Sequence, residues 1–319
     1  MKKALICGVS GQDGGYLAKL LLDKGYQVWG TSRDAQVANF SNLFHLGIRD
    51  RVNVLSMAQN DFRSVLNTLS RAEPDEIYFL SGQSSVGLSF DQPAESIESM
   101  TLGTLNLLEA VRFLAKPMRI YHASSSECFG DVAPGTFANE YTPFRPRSPY
   151  GVAKASAHWL VTNYREAYGL FCCNGILFNH ESPLRPARFV TRKIVSTACR
   201  IAAGSEERLT LGRLDIARDW GWAPDFVDAM WRMLQQEQAD DYVIATGKSQ
   251  TLKSFVAVVF EQLGLDWHAH VDIDASLYRP SEILHSVGDP SKAERVLHWS
   301  PSIPFSSMIE MLIAVENKA

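Results

Sequence analysis

The sequence contains no apolar stretch near the ~20 residues that a membrane-spanning helix needs. It also lacks an excess of basic residues, since 31 Lys and Arg against 35 Asp and Glu give a formal net charge of −4. We therefore expect no general nucleic-acid binding and no attraction to an anionic membrane. The apolar run at residues 4–7 is too short for the hydrophobic region of a signal peptide. Together these absences predict a cytoplasmic protein.

Cysteine is scarce, and its spacing excludes the usual metal motifs. The chain has five cysteines, an odd number, and none stands at zinc-ligand spacing, so we expect no metal site. Cys172 and Cys173 are adjacent in an apolar, strand-like run. Buried free thiols are the better interpretation of this pair, as expected in a reducing compartment.

Short apolar runs alternate with helical patterns through the first half of the chain. Strands are predicted at residues 4–7, 27–31, 52–55, 77–80 and 119–123. Helices are predicted at residues 16–24, 62–69 and 104–114. Such alternation is typical of an α/β fold, a doubly wound parallel sheet with helical crossovers. The proline-punctuated second half predicts helices at 223–236 and 252–263 and one more core strand at 242–246, so later segments return to the main sheet beside a smaller C-terminal domain.

A G-x-x-G-x-x-G pattern occupies residues 8–14, between the first predicted strand and helix. Glycine lets the backbone approach a pyrophosphate, and a helix N-terminus offers it unpaired N–H groups. A simple structural turn is the alternative interpretation, but the strand-to-helix position favours a dinucleotide site of Rossmann type. The cofactor-binding candidates in this turn are Gly8, Gly11, Gln12, Asp13 and Gly14.

Tyr150 and Lys154 are four residues apart, so a helix would place them on one face. A cation near the phenol lowers its pKa and lets it accept a hydroxyl proton. An ordinary amphipathic helix is the alternative. Because a serine-rich segment with Glu127 follows a predicted strand upstream, we favour a catalytic pair that also contacts the cofactor.

Seven blocks of the sequence resemble the GDP-mannose 4,6-dehydratase family of extended short-chain dehydrogenases. They are GQDGGYLAKLLL (11–22), RSPY (147–150), NYREAYG (163–169), NGILFNHESP (174–183), FVTRK (189–193), ARDWG (217–221) and RPSE (279–282). These blocks span nearly the whole chain. The resemblance implies a dinucleotide-binding Rossmann domain at 1–178, to which segments around 214–246 return, and a mainly nucleotide-sugar-binding domain at 179–319.

The implied reaction is a dehydration with an internal redox cycle, in which a hydride leaves C4 of the hexose and returns to C6. Tyr150 would deprotonate the C4 hydroxyl, and Ser125 would hydrogen-bond the C4 oxygen. Glu127 would remove the acidified C5 proton and assist loss of the C6 hydroxyl. A simple reductase needs no such carboxylate, so Glu127 distinguishes dehydration from reduction.

The same resemblance implies contacts with a GDP-sugar substrate. The positions concerned are Asn179, Lys193, Arg218, Arg279 and Glu282. Guanidinium groups suit the two phosphates. Either arginine could instead form a surface ion pair, and Arg218 has Asp215 and Asp219 close by in sequence.

The sequence also departs from the family in four places. Ser125 stands where the family usually has Thr, and Ala58 where it has an Asp near the adenine. Arg213 replaces an Asn near the nucleotide. Arg33-Asp34 replaces the paired arginines that hold the 2′-phosphate of NADP and begin a tetramer loop; Asp34 could instead accept from a ribose 2′-hydroxyl. NADP is thus the leading cofactor with NAD possible, and a homodimer is expected while a tetramer stays open.

Three alternatives to a GDP-mannose dehydratase are retained. The Thr-Ser-Arg at 31–33 is similar to GDP-4-keto-6-deoxymannose reductases. Arg213 leaves room for a dehydratase that acts on another nucleotide-sugar. The altered cofactor positions Asp34 and Ala58 leave room for a nucleotide-sugar-binding protein that has lost turnover.

Overall fold

The apolar runs of the first half become parallel strands in the computed structural model, which describes residues 1–317. The strands are β1 (Lys3–Cys7), β2 (Gln27–Ser32), β3 (Asn53–Ser56), β4 (Glu76–Phe79), β5 (Arg119–Ser125), β6 (Cys172–Leu177), β7 (Asn179–Glu181), β8 (Leu209–Leu211), β9 (Ala217–Trp222), β10 (Tyr242–Ile244), β11 (Ser249–Thr251) and β12 (Val271–Ile273). A seven-stranded sheet has the order β10-β6-β5-β4-β1-β2-β3, and every pairing in it is parallel. The predicted doubly wound sheet is therefore confirmed.

Helices cover both faces of this sheet. They are α1 (Gln12–Asp23), α2 (Ser41–His45), α3 (Phe62–Ala72), α4 (Val86–Asp91), α5 (Pro93–Ile97), α6 (Gly103–Leu114), α7 (Pro149–Tyr168), α8 (Val190–Ala202), α9 (Ala223–Met233), α10 (Leu252–Gln262), α11 (Trp267–His270), α12 (Ser291–Leu297) and α13 (Phe305–Glu316). A π-helical turn, Glu98–Leu102, joins α5 to α6. No helix within residues 1–317 is long and apolar enough to cross a membrane.

The strand order creates a crevice at the carboxyl ends of β1 and β4. Connections run from β1 outward through β2 and β3 in one direction, and through β4, β5 and β6 in the other. In such sheets ligands bind where the direction of winding reverses. Because β1 is buried on both faces, with Leu5 and Ile6 wholly inaccessible, the loop that follows it is held rigidly at this crevice.

The second half builds a smaller body beside the crevice. It contains a three-stranded sheet, β11-β9-β7, a two-stranded sheet, β12-β8, and a separate apolar core that includes Phe255 and Ile309. β10 belongs to the large sheet, where it pairs with β6. The division into a domain at 1–178 and another at 179–319 remains a prediction.

The predicted elements differ from the observed ones mainly at their ends. The helix predicted to begin at residue 16 begins at Gln12, because Gly14 and Gly15 pack tightly in its first turn instead of delaying it. The strand predicted at 242–246 ends at Ile244, where the chain turns to bind Asp219 through Thr246. All five cysteines are buried and free, as the adjacent Cys172 and Cys173 indicated.

Candidate functional site

The glycine-rich turn lies at the crevice and lines a cavity of about 880 Å³. Gly8 adopts a φ of +87°, which favours glycine, and a Cβ on Gly14 would collide with the carbonyl oxygen of Gly8. The five candidates of this turn, Gly8, Gly11, Gln12, Asp13 and Gly14, all line the cavity. The first turn of α1 therefore presents its backbone N–H groups at the cavity wall, as a pyrophosphate requires.

The cavity fits a dinucleotide in other respects. Its volume is near the upper end of the roughly 300–1,000 Å³ that ligand sites span. It runs from the glycine turn past Ser32 to Met57 and Ala58, along the carboxyl ends of β1, β2 and β3. The Ser81 hydroxyl in its wall is buried and has no hydrogen-bond partner within the described residues. A bound polar ligand would satisfy that group.

A buried polar cluster ties the glycine turn to β7. Asp13 Oδ2 lies 3.0 Å from His180 Nε2, and His180 Nδ1 lies 2.7 Å from the Phe178 carbonyl oxygen. Gln12 donates to the His180 carbonyl oxygen at 3.2 Å and accepts from Ser182 at 2.8 Å. Burial alone would raise the pKa of Asp13, but His180, Gln12 and Arg185 together lower it below its ordinary value. The cluster thus joins the turn to the smaller body through hydrogen bonds between buried groups.

Arg33 belongs to the wall of the first cavity, whereas Asp34 does not. Arg33 lines the cavity, and its guanidinium lies 3.3 Å from the Glu95 carboxylate. Asp34 is exposed outside the cavity wall, and its carboxylate accepts from the Gln36 backbone N–H at 2.9 Å. Only Arg33 of this pair therefore faces the end of the cavity that would take the ribose.

Tyr150 and Lys154 lie at the start of α7, where Lys154 is buried and Tyr150 is half-buried. Ser148 caps this helix by accepting from the Gly151 N–H at 3.0 Å, and Pro149 suits its first turn. Lys154 Nζ lies 5.9 Å from the centre of the Tyr150 ring and donates to the Ala123 carbonyl oxygen at 2.7 Å. The predicted i, i+4 arrangement is present.

Burial acts on both groups of this pair. It raises the pKa of the Tyr150 phenol, an effect that the Ser125 hydroxyl opposes. It lowers the pKa of Lys154 to about 8. Lys154 is therefore charged at neutral pH and can favour a phenolate beside it.

Glu127 lies in the short helical turn that follows β5 directly. Its backbone N–H donates to Ser125 Oγ at 3.2 Å. A Cβ on Gly151 would lie 2.9 Å from the Glu127 carbonyl oxygen, so the glycine lets α7 approach this turn closely. Removal from water raises the pKa of the Glu127 carboxyl, although Arg218 and Arg279 oppose the rise. Ser125, Glu127, Tyr150 and Lys154 converge on a second cavity of about 410 Å³.

The second cavity adjoins the first and collects most of the predicted substrate residues. Asn179, Lys193, Arg218 and Arg279 line it. Glu282 is absent from that wall but holds both arginines, at 2.9 Å from Arg218 and 3.1 Å from Arg279. The fold therefore brings these five residues together at the second cavity. Arg218, Arg279 and Glu282 form one ion-pair cluster among them.

Arg218 is buried, with 5% of its surface exposed, so the alternative of an exposed ion pair does not hold for it. Neither acidic neighbour in sequence binds it. Asp215 pairs with Arg213 at 2.6 Å, and Asp219 accepts from Thr246 at 2.8 Å. The buried guanidinium instead faces the cavity beside Glu127, where an anion would find a poorly hydrated partner.

Several cavity residues were missed by the sequence analysis. Arg185, Arg188 and Phe189 line both cavities, as does the segment 80–84. Arg185 pairs with Glu181 at 3.4 Å and stacks 3.7 Å over the Phe189 ring. Arg185 and Arg188 follow the NGILFNHESP block (174–183) by only a few residues. Two cations so close to a block that resembles the family were the sequence feature that could have identified them as ligand-binding candidates.

Comparison with known proteins gives a consistent result. A family model described as GDP-mannose 4,6 dehydratase matches residues 5–312. GDP-mannose 4,6 dehydratase 1 of Arabidopsis thaliana is 45% identical, over 98% of this chain and 89% of its own length. A GDP-mannose 4,6-dehydratase of Vibrio cholerae is 42% identical, over 99% of this chain and 94% of its own length.

Solved structures share the fold at lower identity. The dTDP-glucose 4,6-dehydratase of Streptomyces venezuelae, with NAD and TYD bound, has a TM-score of 0.89 at 22% identity and covers 99% of this chain and 97% of its own. RMD of Pseudomonas aeruginosa, complexed with NADPH, has a TM-score of 0.82 at 22% identity. The match covers 100% of this chain and 99% of that protein's chain. At such identities the likeness concerns the fold alone.

Proposed function

This chain belongs to the GDP-mannose 4,6-dehydratase family, and we propose that it converts GDP-mannose to GDP-4-keto-6-deoxymannose with the residues gathered at its second cavity. The observation that carries the proposal is the convergence of Glu127 with Tyr150 and Lys154 beside the dinucleotide-sized cavity. A plain reductase would need the tyrosine and lysine but not a carboxylate at this place. The geometry therefore favours dehydration over reduction.

Each residue has a chemical task that its surroundings support. When bound, the nicotinamide supplies a hydride acceptor at C4 and a donor at C6, so no net oxidant is consumed. Tyr150 takes the proton of the C4 hydroxyl, assisted by the charged Lys154. Ser125, whose Oγ faces the same cavity, hydrogen-bonds the C4 oxygen as its charge changes.

Glu127 acts on the neighbouring carbons. Oxidation at C4 acidifies the C5 proton, and a carboxylate with a raised pKa is a stronger base for removing it. The same group, once protonated, delivers its proton to the departing C6 hydroxyl, which leaves as water. Its shielded position in the cavity wall suits both steps.

The nucleotide-sugar is held by the smaller body. Arg218 and Arg279 are oriented by Glu282, and Lys193 is anchored to the Thr210 carbonyl oxygen at 2.6 Å. Three cations in one wall of the cavity supply the positive charge that two phosphates require. Asn179 lines the same cavity and offers an amide to the sugar hydroxyls.

The cofactor is a nicotinamide dinucleotide, and NADP is our leading choice. Arg33 is the cation at the ribose end of the first cavity and would hold a 2′-phosphate. NAD remains the alternative, since the second arginine of the family pattern is replaced by Asp34.

Incubation with GDP-mannose and a catalytic amount of NADP, followed by mass spectrometry, tests the function. We expect a nucleotide-sugar lighter by one water molecule, with no accumulation of NADPH. GDP-glucose and UDP-glucose in parallel reactions report whether Arg213 has shifted the preference. If GDP-mannose stays intact, the proposal fails, and supplying the 4-keto-6-deoxy sugar with NADPH tests the reductase. Tight binding of GDP-mannose without any turnover would instead indicate a nucleotide-sugar-binding protein.

We also propose that the chain forms a homodimer through an apolar face on α7, the π-helical turn and the end of α5. This apolar face comprises Ile97, Leu102, Val152 and Trp159, all exposed. The Thr101 hydroxyl donates to the Ala153 carbonyl oxygen at 3.1 Å, so the π-helical turn adjoins α7. Contiguous exposed apolar patches mark association surfaces.

Replacing Trp159 with Asp should convert the dimer to a monomer, because it places a charge on the apolar face in place of its most exposed side chain. Light scattering coupled to size exclusion measures the mass. Phe44→Asp is the matched control, since Phe44 is 62% exposed against 60% for Trp159 but lies on α2. A dimer that survives Trp159→Asp, or a wild-type monomer, would contradict this arrangement.

A further inference from the structure

The mouth of the first cavity carries an opposing pair of charges. Arg33 follows the last residue of β2, and Glu95 lies on α5 across the cavity. The two side chains meet at 3.3 Å, and both belong to the cavity wall. Their exposed fractions, 83% and 39%, show that the pair is solvated and free to separate. Such a pair contributes little to stability.

The described cavity wall has two carboxylates: Asp13 lies in the glycine turn, and Glu95 lies beside Arg33 at the ribose end. Asp34, which the sequence offered for this place, lies outside the wall and accepts from Gln36. The other α5-side groups in the wall, Gln92 and Ser99, are neutral. The charge that a 2′-substituent meets here is therefore set by Arg33 and Glu95 together.

We propose that Glu95 is a specificity-determining residue, which opposes the 2′-phosphate of NADP and so leaves the chain able to use NAD with comparable affinity. The inference rests on the proposed function, because it concerns the cofactor of that reaction. A 2′-phosphate carries about two negative charges at neutral pH, whereas a ribose hydroxyl is neutral and can donate to a carboxylate. Binding NADP requires Arg33 to leave Glu95 and places two anions close together. Binding NAD requires neither.

The size of the effect follows from Coulomb's law. A carboxylate several ångströms from a doubly charged phosphate, in a largely aqueous mouth, weakens binding by about tenfold. The effect should shrink as ionic strength rises, because exposed charges are screened. Loss of a purely structural contact would not respond to salt in this way.

The test measures dissociation constants of NADP⁺ and NAD⁺ by calorimetry, at low and high salt, for the full chain and three variants. Glu95→Gln should tighten NADP⁺ about tenfold at low salt and change NAD⁺ by less than about twofold. Arg33→Gln should weaken NADP⁺ by about tenfold or more. Glu98→Gln removes the same charge one turn away, outside the cavity wall, and should change neither constant.

The outcomes separate this inference from the function on which it rests. If the wild-type chain binds both dinucleotides and Glu95→Gln leaves their ratio unchanged, Glu95 does not determine specificity, while the proposed reaction stands. Glu95 is likewise excluded as the determinant if Glu98→Gln reproduces the effect of Glu95→Gln. If the wild-type chain binds neither dinucleotide, the proposed function itself is overturned.

Discussion

Replacing Tyr150 with Phe should lower kcat by roughly 10³-fold, because the phenol is the group that we propose takes the C4 proton. The ring is half-buried at the start of α7, beside the Ser125 hydroxyl at the end of β5, and Phe preserves its shape. Cofactor binding should therefore change little. Steady-state turnover and the dissociation constant of the dinucleotide measure the two effects separately.

Tyr168→Phe is the matched control, since Tyr168 lies on the same helix but is exposed to solvent. It should leave kcat unchanged. A Tyr150→Phe enzyme that turns over at the wild-type rate would remove the phenol from the mechanism. Equal loss of cofactor binding and turnover would assign Tyr150 to binding instead.

Lys154 gives the same mechanism a pH signature. Burial lowers its pKa to about 8, so the ammonium is present below that value and is lost as the pH rises through it. Turnover should decline on that alkaline side, because an uncharged amine no longer favours the phenolate. An ordinary lysine would hold its charge to a much higher pH.

Replacing Glu127 with Gln should abolish dehydration while oxidation at C4 continues slowly. The amide has nearly the same shape but cannot accept the C5 proton, so we expect product formation to fall by roughly 10³-fold. Reduced nicotinamide should then accumulate on the enzyme, because the hydride has no C6 acceptor. Absorbance follows the reduced cofactor, and mass spectrometry follows loss of water.

The pH dependence of the wild-type enzyme adds a second readout. As the proposed base, Glu127 would act only when ionised, and burial raises its pKa above the ordinary glutamate value. Dehydration should therefore fall, as the pH is lowered, at a higher pH than an exposed glutamate would give. The slow C4 oxidation of Glu127→Gln should lack that acidic limb.

Glu166→Gln provides the control, because it removes one carboxylate from an exposed position on α7. It should dehydrate GDP-mannose normally. If Glu127→Gln also releases product at the wild-type rate, another group removes the C5 proton. If it loses C4 oxidation as well, Glu127 serves substrate binding and the assignment of the base is wrong.

Local features of the sequence carried most of the correct predictions. The glycine turn could be recognised because its residues act within one strand-turn-helix unit, where spacing alone sets the geometry. Tyr150 and Lys154 could be paired because a helix repeats every 3.6 residues. The alternation of short apolar runs with helical patterns was likewise sufficient for a doubly wound sheet.

Contacts between segments far apart in the chain could not be predicted from such local sequence patterns. Arg218 was flanked in sequence by Asp215 and Asp219, yet its partner is Glu282, 64 residues away. Arg33 meets Glu95 across 62 residues, and Asp13 meets His180 across 167. No periodicity links such positions, because their proximity depends on how the smaller body and α5 fold back over the crevice.

Residues close together in the sequence were therefore enough to predict the parallel sheet, the glycine turn and the pairing of Tyr150 with Lys154, since each depends on backbone geometry within a few residues. Which charges face the cavities could be seen only in the folded chain. Folding buried Arg218 against Glu282, turned Asp34 away and set Glu95 opposite Arg33. The physical reason is that charge pairing and burial depend on distances in space, which the order of residues along the chain does not supply.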